Sequence, residues 1–162
     1  MALAPSTASA DAPRVIVTRP EREAHSWADA LQALGVPCES LPLIEIAGLQ
    51  DPTPLTSAWQ AVPQYLAVMF VSANAVRFFA AALRHQPHWL DHLKQNARAW
   101  CTGPGTAAAL VAHGIPAHQI DQPATNAAQL DSEALWEVVS PQLRAGMHVM
   151  FIRGADETGA IA

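Results

Sequence analysis

VMFVSANAV, Val68 to Val76, decides the fold. Four apolar residues run straight into Ser72, Ala73 and Asn74, and the pattern after Val76 turns helical, with Val76, Phe79, Ala80 and Leu83 on one face. Continuous apolarity from Tyr65 to Val71 predicts a strand buried on both faces, as in a parallel sheet covered by helices. A hydroxyl and an amide at the end of such a strand mark the turn into the next helix.

The same pattern is written elsewhere in the chain. Arg14–Thr18 reads as a first strand, followed by Pro20, which suits the first turn of a helix, and by Glu21 and Glu23, which complement its positive end. Trp27, Ala30, Leu31 and Leu34 recur at helical spacing and Gly35 ends the helix. Leu41–Ile46 is predicted as a second strand near a sheet edge, because Pro42 cannot donate to a ladder. Residues 48–57 read as a linker or long loop. Arg98–Thr102 is a fourth strand, followed by Gly103-Pro104-Gly105-Thr106 and a helix with Ala107, Leu110 and Val111, closed by Gly114. A short strand near Gln119-Ile120 comes next. Asn126 with Gln129 three residues on resembles a capping box for a helix lined by Leu130, Ala134, Leu135 and Val138. Met147–Ile152 is the last strand and ends in Arg153-Gly154.

Strands alternating with helices predict the α/β class, a doubly wound parallel sheet. The first thirteen residues lack a basic and an apolar region, so a disordered tail is expected rather than a secretory leader. The final ADETGAIA is polar, and the last strand has no helix after it; a fragment of a longer protein is expected.

Composition narrows the function. Of 162 residues, 51% are hydrophobic and only 14% charged, with a net charge of −5. That excludes a disordered chain and a basic nucleic-acid binder. No apolar run approaches the length of about 18 residues needed to span a membrane. Cys38 and Cys101 lack metal spacing and are expected as reduced thiols in a cytoplasmic protein. His85, His88 and His92 are split by Pro87 and are expected in a solvated loop, not around a metal. Trp27, Trp59, Trp89, Trp100 and Trp136 are expected to pack rather than to form a stacking platform.

In open parallel sheets, ligands bind beyond the carboxyl ends of the strands. Those ends read Thr18-Arg19, Ser72-Ala73-Asn74, Gly103-Pro104-Gly105-Thr106 and Arg153-Gly154. Hydroxyls, an amide, two arginines and helix N-termini on one rim suit an anionic small molecule. The same residues have plainer readings: Ser72 and Thr106 as helix caps, Arg19, Arg77 and Arg153 as surface charges. Gly103–Ala108 also fits the G-x-G-x-x-A dinucleotide fingerprint with Asp121 downstream, although in a middle βα unit and with Pro104 in the turn. A receiver-like sensing module needs clustered aspartates at strand ends, where this chain has Thr18, Arg19 and Ser72.

Taken in order, LGVPCESLPLIEI, FVSANAV, GPGTAAAL ahead of HGI, and VMFIRG resemble the uroporphyrinogen-III synthase family from about Arg14 to Gly154. The resemblance implies two α/β domains joined by a two-stranded linker, with residues 14–43 beginning domain one and 44–162 forming most of domain two. It implies cyclisation of hydroxymethylbilane to uroporphyrinogen III with inversion of ring D and loss of water, with no metal or organic cofactor. The substrate would lie in the cleft between domains. Ser72 matches the serine of the family's F-[TV]-S motif and Thr106 the threonine of its G-x-x-T motif. Thr106 is thus the expected catalytic residue, with Thr18, Arg19, Ser72, Ala73, Asn74, Gly103, Gly105, Arg153 and Gly154 expected to bind substrate. Asn74 stands where some members carry a basic residue, and the family's tyrosine near the return crossing has no counterpart, since Tyr65 does not match it. The remaining expectations are inactivity of this chain alone, a monomer at full length, and neither nucleic acid nor membrane as partner. The competing expectation is a nucleotide- or small-anion-binding α/β module without catalysis.

Overall fold

The structure, a computed structural model, describes residues 14–86 and 89–154. The predicted tail, the ADETGAIA ending, Pro87 and His88 lie outside the described residues. The chain divides into two compact units between Ala47 and Gly48.

The first unit is one βαβ turn: β1 (Val15–Val17), α1 (Glu21–Ala33) and β2 (Cys38–Ser40), the strands parallel with Val15 opposite Cys38. The carbonyl of Pro20 accepts from the N–H groups of Glu23 and Ala24 and starts the helix. At the other end Gly35 takes φ 73°. Its N–H reaches Gln32 and that of Val36 reaches back to Leu31, the two bonds that satisfy orphan helix carbonyls. This tight exit brings the chain back beside β1 at Cys38, three residues before the predicted strand Leu41–Ile46. The Leu41 N–H still bonds Val17 and that of Leu43 bonds Thr18. Pro42 between them has no N–H, and from Leu41 onward the chain is irregular. The predicted inner face of α1 is also corrected. Ala24 and Ala28 are buried, whereas Trp27 and Leu34 are exposed, because the helix meets its strands through small side chains.

The second unit carries a four-stranded parallel sheet in the order β5-β4-β3-β6. Its strands are β3 (Ala67–Phe70), β4 (Arg98–Cys101), β5 (Ile120–Asp121) and β6 (Val149–Ile152), each within a residue or two of the predicted span. β3 is central and buried throughout, as its unbroken apolarity requires.

Alternation along the strands sorts the core into two faces. Val68, Phe70, Ala99, Cys101, Met150 and Ile152 point to one, against α3 (Ala73–Leu83) and α5 (Pro104–Ala112). The predicted stripe Val76, Phe79, Ala80 and Leu83 is buried there. Phe79 stacks edge-on against Trp59 at 5.0 Å and Phe70 at 5.4 Å. Ala67, Met69 and Trp100 point to the other face, against Leu135 and Val139 of α6 (Ser132–Val139). Helices on both faces make the sheet doubly wound. Each large side chain so buried stabilises by roughly 1.5–3 kcal/mol.

Three helices depart from expectation. α2 (Thr53–Gln60) occupies the predicted linker, started by the Asp51 carboxylate accepting the Thr53 N–H at 2.9 Å and anchored by Trp59. α4 (Trp89–Asn96) follows Pro87 where a loop was expected, and buries Leu93. α6 starts at Ser132, not near Asn126, because Asp131 is the cap, its carboxylate accepting the Ala134 N–H at 2.9 Å. Leu130 and Val138 are consequently exposed. Of the tryptophans, Trp59 and Trp100 are core, whereas Trp27 and Trp136 are exposed, contrary to the packing role expected for all five.

Candidate functional site

Register places the strand ends. Phe70 stands opposite Cys101 on one side and Ile152 on the other. Two residues further on, the same register sets Ser72 between Gly103 and Gly154. The Val71 N–H still bonds the Ile152 carbonyl at 3.2 Å. Three of the predicted corners therefore share one edge of the second unit. The chain runs from β3 outward through β4 to β5, then returns to the far side of β3 as β6. Such a reversal opens a crevice at the strand ends, the usual place for a ligand in an open α/β sheet.

Ser72 is the N-cap of α3: its hydroxyl accepts the Ala75 N–H at 3.1 Å. Ala73 is the first residue of that helix. Asn74 lies in its first turn, and its side-chain oxygen accepts from Nη2 of Arg77. Arg77, read from sequence as surface, is half-buried. Its position three residues after Asn74 on a helix was the signal that could have paired them.

Thr106 is not a cap. Gly103 takes that position with extended backbone, and Thr106 is the third residue of α5, buried beside Ala107 and Leu110. The Gly103 carbonyl accepts from the N–H groups of Thr106 and Ala107, both at 3.1 Å. A Cβ built on Gly103 or Gly105 would meet nothing within 4 Å, so the backbone at this corner is open. Arg153 donates from Nε to the Gly154 carbonyl at 3.4 Å.

Thr18 and Arg19 follow β1 in the first unit. The Thr18 carbonyl accepts from Leu43. The Arg19 guanidinium is held by Glu23 at 3.0 Å and lies 5.4 Å from the ring centre of Trp27.

Asp121 answers the dinucleotide reading. Its carboxylate accepts from Arg98 through Nε and, at 2.6 Å, through Nη2. It also accepts from Nε1 of Trp100 at 3.0 Å and Nε2 of Gln142 at 3.2 Å. Burial by itself would raise its pKa; the bonds and charge of Arg98, with Gln142 and Trp100, outweigh that and hold the carboxyl below the usual range. The acid that the fingerprint would give to a ribose is thus committed to joining β4, β5 and the turn at Gln142. Cys101 is fully buried, and desolvation pushes its thiol up to about 11, outweighing a backbone hydrogen bond of Gly103 that lowers it. It is no nucleophile at neutral pH. Among the described residues no group of three or more His, Cys, Asp or Glu could hold a metal ion. No helix among them is long and apolar enough to cross a membrane.

Comparison with known proteins then decides the family. The family model described as HEM4, uroporphyrinogen-III synthase HemD, matches residues 25–162. The chain belongs to the uroporphyrinogen-III synthase family. A uroporphyrinogen-III synthase of Chlorobaculum parvum is 27% identical over 150 residues, covering 91% of this chain and 55% of that protein. A crystal structure of a mutant uroporphyrinogen III synthase from the extremely thermophilic bacterium Thermus thermophilus matches with a TM-score of 0.57 at 16% identity. That match covers 90% of this chain and 53% of the other, and is a likeness of fold. The chain spans about half the length of the uroporphyrinogen-III synthases it matches.

Proposed function

We infer that this chain supplies the substrate-holding rim of a cytoplasmic uroporphyrinogen-III synthase, a cyclising lyase of tetrapyrrole and haem biosynthesis. The observation that carries the reading is the shared strand-end edge of the second unit, where Ser72 stands between the open Gly103 corner and Arg153-Gly154. The substrate is hydroxymethylbilane, a linear tetrapyrrole with acetate and propionate arms. Loss of its hydroxyl as water gives an electrophilic azafulvene. Attack on the substituted carbon of ring D forms a spiro intermediate, which fragments and recloses with ring D inverted. The steps move carbon–carbon bonds within the substrate, and no cofactor is called for. The protein's share is to hold the chain folded, an effect of proximity and orientation. The Gly105 N–H, in the first turn of α5 after Pro104, suits a carboxylate arm. Thr106, at the same corner, is the residue proposed to act on the reacting centre.

The domain expectation belongs to this proposal: residues 14–43 open one domain and 44–162 make most of a second. So does a monomeric full-length enzyme without nucleic-acid or membrane partners. The alternative, a nucleotide- or small-anion-binding module without catalysis, is not favoured by the family match, and for a dinucleotide Asp121 is already bound by Arg98, Trp100 and Gln142.

The test is a thermal-shift titration of the chain with uroporphyrin, an octacarboxylate tetrapyrrole, and with NADH. A ligand that binds only the folded state raises the melting temperature as its concentration passes Kd. Uroporphyrin raises it and NADH does not. The reverse result refutes the reading.

A further inference from the structure

Among the described residues, nothing bonds the Thr106 hydroxyl. The residue is 8% exposed, on the inner face of α5 with Ala107 and Leu110. A polar group buried without a partner carries an uncompensated desolvation penalty. Oγ1 of Thr106 is not among the polar atoms buried in that state, so it is the part of this residue that reaches the surface. Helical side chains tilt toward the helix N-terminus. Thr106 is only the third residue of α5, so its hydroxyl lies over the first turn, beside Gly103 and Gly105.

That turn holds a second unused donor. Pro104 has no N–H, and the N–H groups of Thr106 and Ala107 both go to the Gly103 carbonyl. The Gly105 N–H has no partner among the described residues. A Cβ on either glycine would meet nothing within 4 Å, so the backbone there is open to a ligand. A hydroxyl and an amide, both able to donate, at the positive end of a helix of 9 residues select an oxyanion. The glycine spacing is that of the dinucleotide fingerprint, whose second glycine lets the backbone approach a phosphate. The acid that would hold a ribose in that motif is not free, because Asp121 is bound by Arg98, Trp100 and Gln142. The corner keeps the phosphate half of the motif without the nucleoside half.

We propose that the Gly105 N–H and the Thr106 hydroxyl form an oxyanion site that takes free inorganic phosphate, and that phosphate thereby competes with the tetrapyrrole for the rim. The competition rests on the rim reading above, in which a carboxylate arm uses the same corner. Carboxylate and phosphate present the same acceptor chemistry to this pair of donors, so one excludes the other. With no acid free to hold a ribose, a nucleotide gains nothing over its own phosphate.

Two measurements on the whole chain test this. Phosphate is titrated while backbone amide shifts are followed by NMR, with chloride holding the ionic strength constant. Saturable shifts of Gly105 and Thr106 are expected, with a Kd of about 1–10 mM, the strength of a pair of charge-assisted hydrogen bonds. Uroporphyrin affinity is then read by fluorescence, and about 20 mM phosphate should weaken it at least threefold at such a Kd. Adenosine monophosphate should compete no better than phosphate. Thr106→Val should lose the phosphate shifts and Thr106→Ser keep them, with urea midpoints reporting whether each variant folds. Should Thr106→Val fail to fold, the shifts and the competition in the parent chain decide. Gly105 shifts that are absent in the parent, or unchanged in a folded Thr106→Val, overturn the site. Uroporphyrin binding that phosphate leaves unchanged overturns the competition and leaves the rim reading standing. Stronger competition by adenosine monophosphate overturns the proposal in favour of a nucleotide. Phosphate binding without uroporphyrin binding overturns the rim reading, and the competition with it, while the oxyanion site stands.

Discussion

Arg98 and Asp121 are 23 residues apart in sequence and meet on neighbouring strands, two guanidinium N–H groups on one carboxylate. Trp100 and Gln142 complete the set, so one side chain ties together β4, β5 and the turn after α6. Removing one partner leaves the others half-satisfied, which is the costly case for a partly buried polar network. Asp121→Ala should lower unfolding stability by about 2 kcal/mol, read from urea denaturation, and Arg98→Met by less because its guanidinium is more exposed.

The same carboxylate sets an acid limit. Its folded pKa lies below the unfolded value of about 3.9. The folded state therefore binds fewer protons, and the stabilisation is fully present above the unfolded value and lost as pH falls through the folded one. The difference in urea midpoint between the parent chain and Asp121→Asn should be constant from neutral pH to about pH 5 and shrink below about pH 4. A difference that stays flat to strongly acid pH would contradict this assignment.

Ser72 and Thr106, similar in sequence context, should respond differently. Ser72→Ala removes a cap and should cost about 1 kcal/mol of stability, whereas Ser72→Asn should cost little. Thr106 caps nothing, so Thr106→Ser keeps its hydroxyl and should leave tetrapyrrole binding near the parent value. Thr106→Val keeps the shape and loses the hydroxyl, and should weaken that binding. Equal binding by Thr106→Val would remove Thr106 from the site.

The two thiols should separate cleanly. Cys101 is fully buried with its thiol raised to about 11, whereas Cys38 is partly exposed. At pH 8 a thiol reagent should label Cys38 in the native protein and Cys101 only on a time scale set by unfolding. Labelling of both at one rate would show that β4 opens.

Much of this is legible in the sequence, for identifiable reasons. The apolar run into Ser72 marks the central strand, because a strand covered on both faces has no room for polar residues. Gly35 and Gly114 mark helix ends because only a residue tolerant of positive φ closes those turns. The second strand lies earlier than its apolarity suggests, because the Gly35 exit imposes pairing on Cys38–Ser40 before Leu41–Ile46 is reached. Asn126 offers a better-looking cap than Asp131, and local pattern cannot rank them. The pairing of Arg77 with Asn74 was legible only as an i, i+3 spacing on α3, a signal too common to single it out. The Asp121 network is invisible there because its members come from three separate segments.

The central claim is that the strand-end edge of the four-stranded sheet grips a polycarboxylate tetrapyrrole. Backbone amide shifts followed by NMR during a uroporphyrin titration test it most directly. The account predicts saturable shifts at Ser72, Asn74, Gly105, Thr106 and Gly154. Shifts confined to the opposite edge, around Leu66, Ala97 and His148, would contradict it.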